Sequence, residues 1–198
     1  AMRIQSFLRE EKSRSAVIAG GGYIGLEMAE NLKKAGLDVT IVEKADHLIA
    51  PLDFDMAADV HRYAESQGIE LILNNGLKSV AGTEDGLSIA LEKGSLQAHM
   101  LLLSIGVRPD SSLAAGCGLH LNSRGAIITD NHMCTNQPDI YAVGDAVEVR
   151  NFVSGKPALI PLAGPANKEG RIAADNICGT ESVYTGTQGS SILRLFEM

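Results

Sequence analysis

The strongest chemical signal in the sequence is Gly20-Gly21-Gly22-Tyr23-Ile24-Gly25, with an acidic residue, Glu43, 21 positions after Gly22. The spacing fits G-x-G-x-x-G, which carries little weight alone. Here an apolar run at residues 15–19 precedes it, and Ile24, Met28, Leu32 and Ala35 follow at helical spacing. A glycine turn between a strand and a helix, with a carboxylate about 20 residues on, is the setting in which the pattern holds a dinucleotide. Gly20 then allows the tight turn, Gly22 lets backbone approach a pyrophosphate, and Gly25 lets the helix pack close to the strand. Free N–H groups and the helix dipole hold the phosphates. Glu43 can accept from both ribose hydroxyls and would repel a 2′-phosphate, which favours NADH over NADPH; Lys44 beside it weakens that preference. Two other readings share the pattern: a glycine turn with a solvated glutamate, and a methyl donor-binding loop with an acidic residue. Tyr23 and Glu27 adjoin the turn; taken alone they read as an exposed first-turn residue and a helix former near a positive helix end.

A second signal is Gly144-Asp145 after the apolar residues 140–143. A carboxylate at the C-terminal end of a strand can accept from polyol hydroxyls, although Gly-Asp is also a common turn. A helix expected from Leu162 to Ile177 would aim its positive end at a group that gains negative charge, such as a reduced flavin, or is simply a packed helix.

These residues need a scaffold. A short polar helix is expected over 3–12. Residues 15–19 and 39–42 read as strands flanking the helix, a parallel βαβ unit with a right-handed crossover. Asp53 can cap a helix whose buried face is Met56, Val60 and Ala64, and Gly68 ends it. A third strand covers 69–73. From 76 to 98 the period changes to two, with turns at Asp85-Gly86 and Lys93-Gly94, which predicts an antiparallel meander. Residues 100–105 return as an apolar strand, and Gly106-Val107-Arg108-Pro109 marks a domain boundary. Beyond it the chain is loop-rich, with short strands near 126–129, a strand at 140–143 and a last one at 192–196.

Composition excludes several classes. The 198 residues are 45% hydrophobic and 21% charged, as in soluble globular domains. Tryptophan is absent and aromatics are 4%, which argues against a stacking surface for single-stranded nucleic acid. The net charge of −7 opposes binding to phosphate backbones and anionic membranes. No apolar run reaches the roughly 18 residues that span a bilayer. Cys117, Cys134 and Cys178 form no Cys-x-x-Cys pair, which fits a reducing compartment; a soluble, cytoplasmic protein is expected. His132 and Cys134 are two ligands without partners, too few for a four-coordinate site, so no metal is expected.

Taken together, residues 20–32, 104–109, 135–145 (Thr135-Asn136-Gln137-Pro138-Asp139-Ile140-Tyr141-Ala142-Val143-Gly144-Asp145) and 161–171 (Pro161-Leu162-Ala163-Gly164-Pro165-Ala166-Asn167-Lys168-Glu169-Gly170-Arg171) resemble the pyridine nucleotide-disulfide oxidoreductase family. The likeness is to its CoA-disulfide reductase, NADH oxidase and NADH peroxidase branch, and it runs in order along essentially the whole chain. It implies an α/β fold: a Rossmann-like three-layer NAD(P)H-binding domain (1–106) with a parallel sheet and antiparallel meander, then the second part of an FAD-binding domain (107–182), then the start of a dimerisation domain (183–198). It implies FAD and NADH as cofactors, with NADPH possible, and a homodimer in the whole enzyme. The acceptor would be a small-molecule disulfide, persulfide, peroxide or oxygen, with neither nucleic acid nor membrane as partner. By the same resemblance Tyr23 gates the nicotinamide pocket, Glu27 lies near the flavin, and Ile105 and Gly106 line the nicotinamide nucleotide. Gly144 and Asp145 meet the flavin ribitol, and Leu162 and Ala163 bring a helix to its pyrimidine edge. The family's first FAD fingerprint and the redox cysteine after it have no counterpart here, so the chain is expected to be a central fragment, inactive alone. A stand-alone NAD(H)-binding redox sensor and a methyl donor-binding enzyme are the competing readings.

Overall fold

The computed structural model describes residues 2–9 and 14–198. They form two compact units: residues up to 106 together with 193–198, and residues 107–192.

In the first unit a helix, α1 (Met2–Leu8), precedes β1 (Ser15–Ala19), α2 (Tyr23–Lys34), β2 (Asp38–Val42), α3 (Phe54–Ser66) and β3 (Ile69–Ile72). The helix expected over 3–12 therefore closes at Leu8, and residues 10–13 lie outside the described residues. Next come β4 (Leu77–Thr83), β5 (Gly86–Leu91), β6 (Ser95–Ala98) and β7 (Met100–Leu103). The strands β3-β2-β1-β7 form one parallel sheet, with Val17 opposite Thr40 and Leu101. The other three form the antiparallel meander β4-β5-β6.

Strand alternation sorts the side chains into layers. Ala16, Ile18, Val39 and Ile41 pack on the helix side with Leu26, Ala29 and Leu32 of α2. Val17 and Val42 point the other way, onto Ile89, Leu91 and Ala98 of the meander. Each fully buried Ile or Leu contributes about 1.5–3 kcal/mol. The helix faces are not quite those the spacing suggests. Gly25, Leu26, Ala29 and Leu32 are the buried side of α2, while Ile24 is 62% exposed. On α3 Ala57 and Ala64 are buried and Met56 is exposed. The buried side of α3 is made of alanines, while on α2 Gly25 and Ala29 share the buried side with Leu26 and Leu32. The end of α2 is a Schellman motif. Gly36 takes φ +90°, Gly36 N–H donates to the Lys33 carbonyl and Leu37 N–H to the Leu32 carbonyl, with both leucines buried.

The second unit holds α4 (Ser112–Gly116), β8 (Ile127–Ile128), β9 (Val147–Arg150), β10 (Pro157–Ala158) and α5 (Ala163–Ile177). Its sheet runs β10-β9-β8 over a core of Met133, Val147, Val149, Ala173 and Tyr184. Two expected strands are absent. Residues 140–143 make only an isolated bridge, Tyr141 to Cys134, and leave Ile140 and Val143 exposed. An apolar segment becomes a strand only where a neighbour completes its ladder, and among the described residues none does. Residues 192–196 are also not a strand. Phe196 takes φ +49°, Leu195 and Met198 close a turn, and Leu195 and Phe196 bury into the first unit's core. No helix among the described residues is long and apolar enough to cross a membrane.

Candidate functional site

The β1–α2 turn uses each glycine differently. Gly20 has φ +108°, and a Cβ there would meet the Ser104 carbonyl at the end of β7. Ser104 Oγ donates to the Ala19 and Gly20 carbonyls at 3.1 and 2.9 Å, closing the turn against β7. A Cβ on Gly25 would drive into the Gly20 carbonyl, so this residue sets how near α2 approaches the strand. Gly22, the N-cap of α2, has extended backbone and nothing within 4 Å of a built Cβ. Its face is open space above the first turn of a helix, whose first N–H groups have no intrahelical acceptor.

Glu43 is not a solvated side chain. Its Oε2 accepts the Gly21 N–H at 2.7 Å and its Oε1 accepts the Ala45 N–H at 2.8 Å. The carboxylate is thus locked to the glycine turn itself. It stands at the edge of a cleft of about 380 Å³ that Gly20, Gly22, Ser104 and Ile105 also line, within the size range of small-ligand sites.

The opposite wall comes from residues that the sequence reading passed over. Asn75, 5% exposed, donates through Nδ2 to the Lys93 carbonyl and accepts the Lys93 N–H through Oδ1, both at 2.9 Å. Its own N–H donates to the Glu43 carbonyl, and Glu92 N–H donates to the Gly76 carbonyl. The β5–β6 turn is therefore pinned beside Glu43, and Lys44 Nζ lies 3.5 Å from Glu92 Oε1. Nothing local in Asn74-Asn75-Gly76 announces that the Asn75 amide reaches across to residue 93.

Of the sequence-predicted residues, Gly20, Gly22, Glu43 and Ile105 surround this one cleft. Tyr23, Ile24, Gly25 and Glu27 lie on the first turns of α2. Tyr23 packs against the core, Glu27 is exposed, and Gly106 has φ +95°.

In the second unit Gly144 has φ +87° and its N–H donates to Glu169 Oε2 at 2.7 Å. Asp145 beside it is exposed. Leu162 is the N-cap of α5 and Ala163 its exposed first residue. Glu169 itself is 1% exposed. Burial pushes its carboxyl pKa up, against the lowering effect of the Gly144 N–H. The Tyr184 hydroxyl, buried beside Glu169, is pushed up to about 12, chiefly by burial. In the sequence Glu169 stands only as one residue of the 161–171 stretch, and nothing local marks it as buried. The three cysteines are unpaired thiols, and no trio of His, Cys, Asp or Glu among the described residues could hold a metal ion.

The residues fit the groups that the resemblance implies. The open Gly22 face, the amide-rich first turn of α2 and a carboxylate oriented beside them suit a dinucleotide. The Gly144-Asp145 turn, tied to α5, suits a polyol and an acceptor ring.

Comparison with known proteins agrees. Residues 2–170 match the sequence pattern of the pyridine nucleotide-disulphide oxidoreductases. The chain is 35% identical over 198 residues to an NADH oxidase of Methanocaldococcus jannaschii, covering 98% of this chain and 44% of that protein. Its structure superposes on reduced CoADR-RHD of Bacillus anthracis with a TM-score of 0.92 and 45% identity, over 98% of this chain and 35% of the other. It also superposes on the water-forming NADH oxidase of Lactobacillus brevis bound to NADH, with a TM-score of 0.91 and 34% identity, over 98% and 43% of the two chains. The chain thus spans less than half the length of each of these relatives.

Proposed function

The chain belongs to the pyridine nucleotide-disulphide oxidoreductase family, and on that premise we propose that it is the central, nucleotide-binding segment of an FAD-dependent enzyme that oxidises NADH and reduces a small disulfide, persulfide, peroxide or oxygen. One observation carries the reading most directly: the Glu43 carboxylate, fixed by the Gly21 and Ala45 N–H groups at the rim of the cleft beside the open face of Gly22.

A carboxylate has about four acceptor positions. Two are used to hold Glu43 in place, and the remaining two suit the paired 2′- and 3′-hydroxyls of an adenosine ribose. The first turn of α2 then meets the diphosphate through backbone N–H groups. A 2′-phosphate would bring like charge against a carboxylate whose orientation is already fixed, so NADPH is disfavoured. Tyr23 is assigned as the gate of the nicotinamide pocket, Glu27 as the acid near the flavin, and Ile105 and Gly106 as lining of the nicotinamide nucleotide. Asp145 accepts from the flavin ribitol, and the α5 N-terminus at Leu162 and Ala163 faces the pyrimidine edge. Bound flavin supplies the hydride acceptor and the electron transfer beyond it. The residues of this chain bind, orient and exclude water. The relatives named NADH oxidase, and the one bound to NADH, support the assignment. A homodimer is proposed for the whole enzyme on the family resemblance.

Titration of the chain with NADH, read by nicotinamide fluorescence, tests this. Glu43→Ala should weaken NADH binding about ten-fold, equivalent to about 1.4 kcal/mol, and narrow the preference over NADPH. An unchanged Kd would remove Glu43 from the ribose.

A further inference from the structure

We propose that Glu92, on the turn after β5, is a second specificity-determining residue of the nucleotide cleft, acting by neutralising Lys44. The inference rests on the NADH reading above and extends it to a residue from a different part of the fold.

Lys44 is the sole cation among the described residues that line the cleft, and it directly follows Glu43. Left unpaired, it would offer a 2′-phosphate a favourable partner and offset the repulsion from Glu43. In the structure its ammonium lies 3.5 Å from Glu92 Oε1. The nearby Lys93 is committed elsewhere, donating to the Asn74 carbonyl at 3.1 Å. Glu92 and Glu43 together then leave the cleft rim net negative.

The placement of Glu92 is built in by four features. Asn75, buried, clasps the Lys93 backbone with two hydrogen bonds, and the Asn75 N–H holds the Glu43 carbonyl. Glu92 N–H is fixed to the Gly76 carbonyl. Gly76 has no side chain where the Glu92 carboxylate lies; a Cβ there would come within 2.9 Å of Oε1. Asn74 N–H ties the same segment to the Ala45 carbonyl. The meander turn and the strand end that carries Glu43 and Lys44 are therefore held in one register. Both partners of the ion pair keep substantial exposure, 79% and 41%, so the effect is modest and salt-sensitive.

The test is the ratio of NADPH to NADH dissociation constants for the full chain, measured by fluorescence titration at low and high ionic strength. Glu92→Gln should lower that ratio about 1.5- to five-fold at low salt, the span expected for freeing one partly exposed cation. Adding Lys44→Ala to Glu92→Gln should abolish the gain, and high salt should shrink it. A ratio that Glu92→Gln leaves unmoved while NADH binds saturably overturns the proposal, as does a gain that survives Lys44→Ala. Failure of the unsubstituted chain to bind NADH at all would instead overturn the nucleotide reading on which it rests.

Discussion

At the scale of single residues, two glycines of one motif serve different ends, and substitution separates them. A Cβ at Gly25 has no room because the Gly20 carbonyl is already there, whereas a Cβ at Gly22 meets nothing within 4 Å. Gly22 also has φ −80°, which any residue adopts. Gly25→Ala should therefore destabilise the first unit by about 1–3 kcal/mol, as overpacking does, seen as a lower urea midpoint. Gly22→Ala should leave stability within about 0.5 kcal/mol yet weaken NADH binding, because its new methyl projects into the space assigned to the diphosphate. Equal effects on stability would contradict the division of labour. This part of the site was legible in the sequence because its logic is local. Turn, close approach and carboxylate all lie within residues 20–43. Asn75, Glu92 and Glu169 were not legible, because each acts on a partner brought near only by the fold: 18 positions away for Asn75 with Lys93, 25 for Glu169 with Gly144.

At the scale of elements, α5 and the Gly144-Asp145 turn are joined by one buried carboxyl. Burial raises the pKa of Glu169 above the ordinary glutamate value of 4.5. The folded state thus binds that proton more tightly than the unfolded chain. Its stabilising contribution is fully present below the ordinary value and is lost as pH rises through the raised one. Glu169→Gln keeps an oxygen for the Gly144 N–H and removes the titration. Denaturation profiles recorded from pH 4 to pH 8 should be flatter for the variant, with its stability relative to the parent improving toward pH 8; parallel profiles would show that Glu169 carries no such linkage. Glu169→Ala should cost about 1–3 kcal/mol at pH 4, by orphaning a buried N–H, and less toward pH 8, where the parent has lost the contribution of that proton. Element prediction succeeded where periodicity and turn residues agreed, as in β1, α2, the meander and α5. It failed at 140–143 and 192–196, for reasons of packing. Apolar character marks burial or a missing neighbour as readily as a ladder, and Phe196 is buried in a turn that Glu30 Oε2 holds by accepting its N–H.

At the scale of the whole molecule, the net charge of −7 is compatible with a small-molecule site whose anionic ligand is met by backbone amides rather than by a field of lysines. The amino-acid sequence carried the α/β class and the position of the glycine turn. The opposing wall of the cleft emerges only once the meander is folded beside the parallel sheet. The central claim is that the β1–α2 turn and Glu43 hold the adenosine diphosphate of NADH. Amide hydrogen exchange on the intact chain, with and without NADH at about 100 times its Kd, tests it most directly. Ligation at that level stabilises the binding unit by about 2.7 kcal/mol. New protection is expected at residues 20–25 and 43–45, with slowed exchange through β1 and β2, and at the same NADH concentration the ten-fold weaker Glu43→Ala should lose about 1.3 kcal/mol of that protection. Protection confined to residues 107–192, or undiminished protection in Glu43→Ala, would contradict the claim.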